Sequence, residues 1–335
     1  MEHHPNPAKI FEVVNGVTRS MAFKAAVDND LFTGIAEGSN TAPALATRAK
    51  LPERSTRILC DFLVTQEFLT KTGSAYALAP DLAPFLDRHS PAYLASVSEF
   101  MLAPMFLEAT LHLGEAIKKG GVATEPDGTL SPEHPVWVNF ARSMAPLTTI
   151  SAPKLAALVV AKHPGECRVL DIAASHGLFG IAIAKSHPKA QIVAQDWANV
   201  LTVAKENAEK HGVPDRVRML PGSAFDVDFG GPYEAILVTN FFHHFDKPTC
   251  EKLMRKFHAA LAPDGHVATL EFVPNADRVT PPVQAAFSLT MLVSTPAGDA
   301  YTFDEYDQMF RAAGFRDSEL HPLENGMQTI LITRK

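Results

Sequence analysis

Two acids, one histidine pair and one buried-looking glutamate are the groups in this chain best placed for chemistry, because each stands where an apolar run gives way to a turn. The first acid lies in Val169-Leu-Asp171-Ile-Ala-Ala-Ser-His-Gly177-Leu-Phe-Gly180, which reads as a buried strand, a small-residue turn and a restarting helix. Small side chains at Ala173, Ala174, Ser175 and Gly177 let the backbone pass close beneath a ligand, and the first N–H groups of the helix can receive an anionic group. A dinucleotide site would want Gly-x-Gly-x-x-Gly, which the turn lacks. An acid at the strand tip suits a cationic ligand better than a pyrophosphate.

Ala190-Gln-Ile-Val-Ala-Gln-Asp196 reads as a second strand ending in an acid, where such folds hold both ribose hydroxyls, and Trp197 offers a face for adenine. Two strand-tip acids favour S-adenosylmethionine (SAM), which carries a sulfonium and an ammonium. After a third strand, Ser223, Ala224 and Phe225 are candidates for contact with the adenine. The fourth strand, Tyr233–Asn240, runs into Phe-Phe-His243-His244-Phe-Asp246, so two imidazoles follow the carboxyl end of a central strand, where open α/β sheets bind ligands. Asn240 joins the cofactor-binding candidates there. An imidazole titrates near working pH, so His243 or His244 could take a proton from a hydroxyl as its oxygen attacks a methyl group. Glu271, in the apolar fifth strand, needs a partner if buried, and its natural partner is a histidine, which a carboxylate orients. The competing readings are a helix-capping or core histidine and an exposed strand-end glutamate. Two adjacent histidines could also bind metal, but no third ligand stands at convincing spacing, so no metal is expected.

The elements that must position these groups follow from periodicity. From Cys167 onward the pattern predicts strands near 167–172, 190–196, 216–221, 233–239 and 266–273, with helices near 178–187, 198–211 and 247–261 between them, hence a parallel sheet. A capped helix over Thr302–Phe310 and strands near 316–321 and 327–333 complete it. Residues from about 8 to 150 read as helical. Within them, helices at Thr41–Lys50 and Glu53–Leu63 and a hairpin at Phe68–Leu78 form a winged-helix pattern. Residues 1–100 carry 9 Lys and Arg against 11 Asp and Glu, so this unit is expected to serve packing or dimerisation rather than DNA binding. The expected division is therefore 1–150, helical, and 151–335, cofactor-binding. Trp137, Phe140 and Met144 lead into the second part and are substrate-pocket candidates, although large apolar residues at helical spacing serve first as core.

Bulk properties agree with an ordinary globular protein: 335 residues, 46% hydrophobic and 20% charged. A net charge of -7 disfavours a phosphate-rich partner. Cys60, Cys167 and Cys250 are far apart and argue against a disulfide framework, which fits a reducing cytoplasm. The apolar runs are too short to span a bilayer, so neither membrane insertion nor export is expected.

Taken together, these residues resemble the SAM-dependent O-methyltransferases of the plant-type and hydroxyindole class. The resemblance implies a winged-helix dimerisation domain before a class I Rossmann-like domain with a mostly parallel seven-stranded sheet, and a homodimer. The family's Asp-x-Gly-Gly-Gly-x-Gly turn matches Asp171–Gly177 with Ala173, Ala174 and Ser175 in place of three glycines, and its ribose acid falls on Asp196. Its Gly-Asp-x-Phe motif falls on Gly222–Phe225, with Ser223 replacing the acid. Its His-Asp-Trp motif falls on His243-His244-Phe245, implying His243 as general base, with His244 in place of the aspartate and Glu271 orienting the base. A second catalytic glutamate falls on Ala300, where Asp299 could compensate, and a substrate-lining helix falls on Pro282–Met291, making Phe287 and Met291 pocket candidates. The expected reaction is methyl transfer to a hydroxyl or enol oxygen of a small, flat metabolite. C- or N-methylation, a metabolite-sensing regulator with a degenerate SAM domain, and an NAD-linked oxidoreductase are the rivals.

Overall fold

The computed structural model describes residues 6–324 and 326–335. Contacts divide the chain between Ala103 and Pro104 into two units.

In the first unit, helices Ala42–Ala49 and Glu53–Thr65 precede an antiparallel hairpin of β1 (Leu69–Thr72) and β2 (Ala75–Leu78). The Thr41 hydroxyl caps the first helix by accepting from the Ala44 N–H at 3.4 Å, and Lys50 ends it with φ 57° before Pro52 sets the next start. Leu31, Phe32, Leu45, Cys60, Leu63 and Tyr76 form the core. At its rim, hydrogen bonds from Lys71 and Tyr76 hold the Asp61 carboxyl down to about 2 and tie the hairpin to the second helix. Helix Ala8–Val14 is different, for none of its residues is buried and Ile10, Phe11, Val13 and Val14 are 64–70% exposed.

The second unit is a seven-stranded sheet of β3 (Cys167–Ile172), β4 (Ala190–Asp196), β5 (Val217–Pro221), β6 (Tyr233–Thr239), β7 (Leu261–Glu271), β8 (Asp317–Pro322) and β9 (Thr329–Arg334). Their order is β5-β4-β3-β6-β7-β9-β8, parallel except where β9 runs against β7 and β8. The central strands are nearly continuous apolar runs because helices cover both faces. Val169, Ile192, Ala235 and Ala268 belong to one core, while Leu170, Val193, Ile236 and Val267 belong to the other. Strand order reverses between β3 and β6, which places the ligand crevice at the tips of these two strands.

The expected strands and helices are present within a few residues, with one larger departure. β7 begins at Leu261 rather than 266, because Leu261 pairs with Tyr233 across a register shift before regular pairing starts at His266. The expected division at residue 150 also differs from the contact division at 103. Helices Pro104–Leu111 and Leu113–Lys119 pack on helix Pro282–Ser294, and helix Val136–Ser143 packs on Ala198–Lys210. Their apolar stripes are satisfied by the second unit, a partnership that helical periodicity alone does not reveal.

Candidate functional site

Asp171 lies wholly buried one residue before the end of β3. Its Oδ2 accepts the Gly180 N–H at 3.1 Å, whereas Oδ1 is buried without a partner. Gly180 permits this approach, since a Cβ there would stand 2.6 Å from Ile192 and 3.0 Å from Oδ2 itself. Burial, reinforced by the negative field of Asp196, pushes the Asp171 carboxyl up to about 8. In the following turn Ala173 and Ser175 hold φ 50° and 53°, left-handed conformations that glycine adopts freely and other residues hold only under constraint. The constraint comes from β4. Gln195 accepts the Ala174 N–H on its carbonyl at 2.9 Å and the Ala173 N–H on its side chain at 3.4 Å, then donates to the Gly222 carbonyl at 2.5 Å.

Asp196, at the tip of β4, accepts the Ser175 N–H at 2.8 Å and the Trp197 N–H at 2.7 Å on separate oxygens. Burial raises its carboxyl to about 6 despite these bonds. Each oxygen retains accepting capacity for a vicinal diol. Trp197 starts helix Ala198–Lys210 and packs beside Ala141, Val200 and Val203. Beyond β5, the Ser223 hydroxyl accepts the Phe225 N–H at 3.1 Å, Ala224 is buried, and Phe225 meets Phe245 edge-on at 5.3 Å. The N–H groups of Ser223 and Ala224 find no acceptor among the described residues. The Ser175 hydroxyl is likewise buried without a partner. Unpaired donors, an unpaired buried carboxylate oxygen and a turn of small residues fit a ligand with both cationic and nucleoside parts.

Across the crevice, Glu271 ends β7 fully buried. One carboxylate oxygen accepts the Phe241 and Phe242 N–H groups, each at 2.9 Å, and the other meets His243 Nδ1 at 2.6 Å. A carboxylate only accepts, so Nδ1 carries the proton and Nε2 is left as the basic nitrogen. His244 lies beside it with ring centroids 4.3 Å apart, and burial together with the neighbouring His243 holds its pKa well below the usual histidine range. Trp137 packs edge-on against His244 at 5.3 Å, and Phe140 against Trp137 at 5.8 Å. Phe287 stands edge-on to His243 at 4.8 Å and stacks on Phe272 at 3.8 Å. Met291 is buried on the helix that carries Phe287, and Met144 closes the helix that carries Trp137.

Asn240, with φ 54°, donates its N–H to the Leu270 carbonyl at 2.9 Å and accepts from the Gln328 side chain. The loop beyond Phe287 is fastened to the backbone of His243. The Asp299 N–H donates to the His243 carbonyl at 3.0 Å, and a Cβ at Gly298 would stand 2.2 Å from that oxygen. Of the Asp299 carboxylate oxygens, one meets Arg278 at 3.2 Å and the other accepts the Ala300 N–H at 2.8 Å.

Gln195, Phe272 and Gln328 were not legible as site residues. The usable signal for Gln195 was an amide beside the strand-tip acid, 2% exposed here, whereas Gln191 of the same strand is exposed.

Comparison with known proteins adds the family. An O-methyltransferase domain model matches residues 133–316, and an O-methyltransferase dimerisation domain model matches residues 11–82. The chain is 26% identical over 315 residues to 3-hydroxy-5-methyl-1-naphthoate 3-O-methyltransferase of Streptomyces sahachiroi, covering 92% of this chain and 89% of that protein. The crystal structure of an O-methyltransferase candidate from Nostoc punctiforme is 49% identical, covers 99% of this chain and all of its own, and superposes with a TM-score of 0.95. Human N-acetylserotonin methyltransferase in complex with SAM, 21% identical over 100% of this chain and 99% of its own, has the same fold with a TM-score of 0.86.

Proposed function

Because the chain belongs to the O-methyltransferase family, we propose that it methylates a hydroxyl of a small, flat aromatic metabolite, with His243 as the base that accepts the hydroxyl proton. The cofactor is SAM, which supplies an electrophilic methyl group when bound. Asp196 would hold the ribose hydroxyls, Asp171 would face the cationic portion, Ser175 and Gly177 would line its path, and Ser223, Ala224 and Phe225 would receive the adenine, with Trp197 and Asn240 at the margins. The observation that carries the reading is the 2.6 Å contact between His243 Nδ1 and a Glu271 carboxylate whose other oxygen already holds two backbone N–H groups. Glu271 can neither rotate away nor act as a donor, so it fixes the ring and stabilises the imidazolium formed when Nε2 takes a proton. His244 stays neutral beside it and spares the imidazolium a like charge.

An acceptor ring would lie among Phe287, Trp137 and Phe140, with Met144 and Met291 as further apolar lining. An aromatic substrate accords with the naphthoate of the Streptomyces relative. The first unit, matched by the dimerisation model, would join two copies, and the exposed apolar side chains of helix Ala8–Val14 suit that role. We place the protein in the cytoplasm without a nucleic-acid partner; among the described residues no single helix is long and apolar enough to cross a membrane. The regulator and oxidoreductase readings find no support in the family match. The test is transfer of labelled methyl from SAM to a panel of phenols and enols. Labelled product from a phenol that vanishes in His243→Ala supports the reading, while turnover unaltered in that variant removes the base.

A further inference from the structure

The structure assigns a role to Lys256, a residue of helix Lys247–Ala260 outside the groups discussed so far. Its Nζ donates to three carbonyls of a single loop, those of Ala224 at 2.9 Å, Phe225 at 3.0 Å and Val227 at 2.6 Å. It also stands 4.2 Å over the Phe229 ring. An ammonium has three donors, and all three are used within four consecutive residues. The same loop is held at its start by Gln195 through the Gly222 carbonyl and within by Asp226 and Val227 N–H bonds to the Ser223 carbonyl. Among the described residues the Ser223 and Ala224 N–H groups at its start find no acceptor, and neither do those of Asp228 and Phe229 at its far end.

We propose that Lys256 is a positioning residue for base recognition: by drawing three carbonyls to one point, it holds the Ser223 and Ala224 N–H groups toward the purine edge. This rests on the reading that the loop receives the adenine. Adenine N1 accepts from such a donor, whereas hypoxanthine carries a proton at N1 and cannot accept there. Discrimination between the two bases is therefore the property that Lys256 controls.

The experiment is calorimetric titration of the full-length protein with S-adenosylhomocysteine and with S-inosylhomocysteine, for wild type, Lys256→Met and Lys256→Arg, with a melting curve for each. Wild type is expected to prefer the adenine ligand. Lys256→Met keeps the stem over Phe229 but has no donors, so its affinity for S-adenosylhomocysteine should fall about tenfold while that for the inosine ligand changes less than about twofold. Lys256→Arg keeps the charge but cannot bring three donors to one point, and it should lose about threefold of the preference. If Lys256→Met does not fold, Lys256→Arg carries the test. A variant that melts lower but keeps the wild-type preference overturns the proposal and leaves Lys256 a purely structural clamp. Wild type binding both ligands equally overturns it too, and identifies the failure as that of the adenine reading itself.

Discussion

The two sides of the crevice are built in opposite ways. On the β3–β4 side, Asp171 and Asp196 are buried with their carboxyls raised to about 8 and about 6, and Asp171 Oδ1 and the Ser175 hydroxyl lack partners. On the β6–β7 side, Glu271 is equally buried yet has three donors. Burial is thus common to both sides, and what differs is how many donors each acid already has. On the proposed reading, the chain leaves unsatisfied what a bound molecule would satisfy, and completes in advance what would have to stay still during proton transfer.

The largest test of this contrast falls on the completed side. His243→Ala should lower kcat by about 10²–10⁴-fold with little change in S-adenosylhomocysteine affinity. Glu271→Gln should follow closely, because its amide nitrogen donates to Nδ1 and forces the proton onto Nε2, the wrong tautomer. Steady-state kinetics with calorimetry separates both from a binding defect. On the opposite side, Asp196→Ala should weaken S-adenosylhomocysteine about 10–100-fold while turnover at saturating SAM falls far less. If either side shows the other's pattern, the division fails.

A smaller effect should appear in stability. Asp171 has an ordinary value of 3.8 and stands at about 8 when folded, so its protonated form is favoured by folding. That contribution is complete below 3.8 and is lost as pH rises through about 8. Asp196, at about 6, has largely titrated before the upper part of this window. The ligand-free protein should therefore lose Tm between about pH 6 and about pH 8.5, and Asp171→Asn should recover a few degrees of that loss. The same variant should bind SAM more weakly. Melting curves across pH that show no difference between the two proteins would place another group behind the slope. The smallest effect belongs to Asp299→Asn, which removes an ion pair at the exposed rim and should leave kcat within about twofold. A much larger fall would return Asp299 to the reaction.

The positions of the groups proposed for the reaction were the most legible part of the chain, because a strand that ends in an acid or a histidine breaks an apolar run at a point fixed by topology. The Asp171, Asp196 and His243 tips, and the partnership of Glu271 with a histidine, followed from this. The scaffolding around them did not. Gln195 acts through three backbone groups on two neighbouring turns, and Lys256 reaches back from a later helix to carbonyls that leave no trace in residue type. The division at 103 was hidden for a related reason: a helix shows which face it buries, not against which unit. Asp299 has the right charge at a suggestive position, yet Arg278 claims it from a distant segment.

The carbonyl of His243 rests against Gly298 so closely that no side chain could be added there. For anyone seeking to alter the acceptor by exchanging loops, this seam is a fixed cut point. The segment Pro282–Ser294 could be replaced as a cassette, provided that the graft rejoins the parent chain before Gly298. A donor chain with any larger residue at the junction would displace His243 along with the exchanged segment, so on the proposed reading a change of substrate and a loss of catalysis would arrive together.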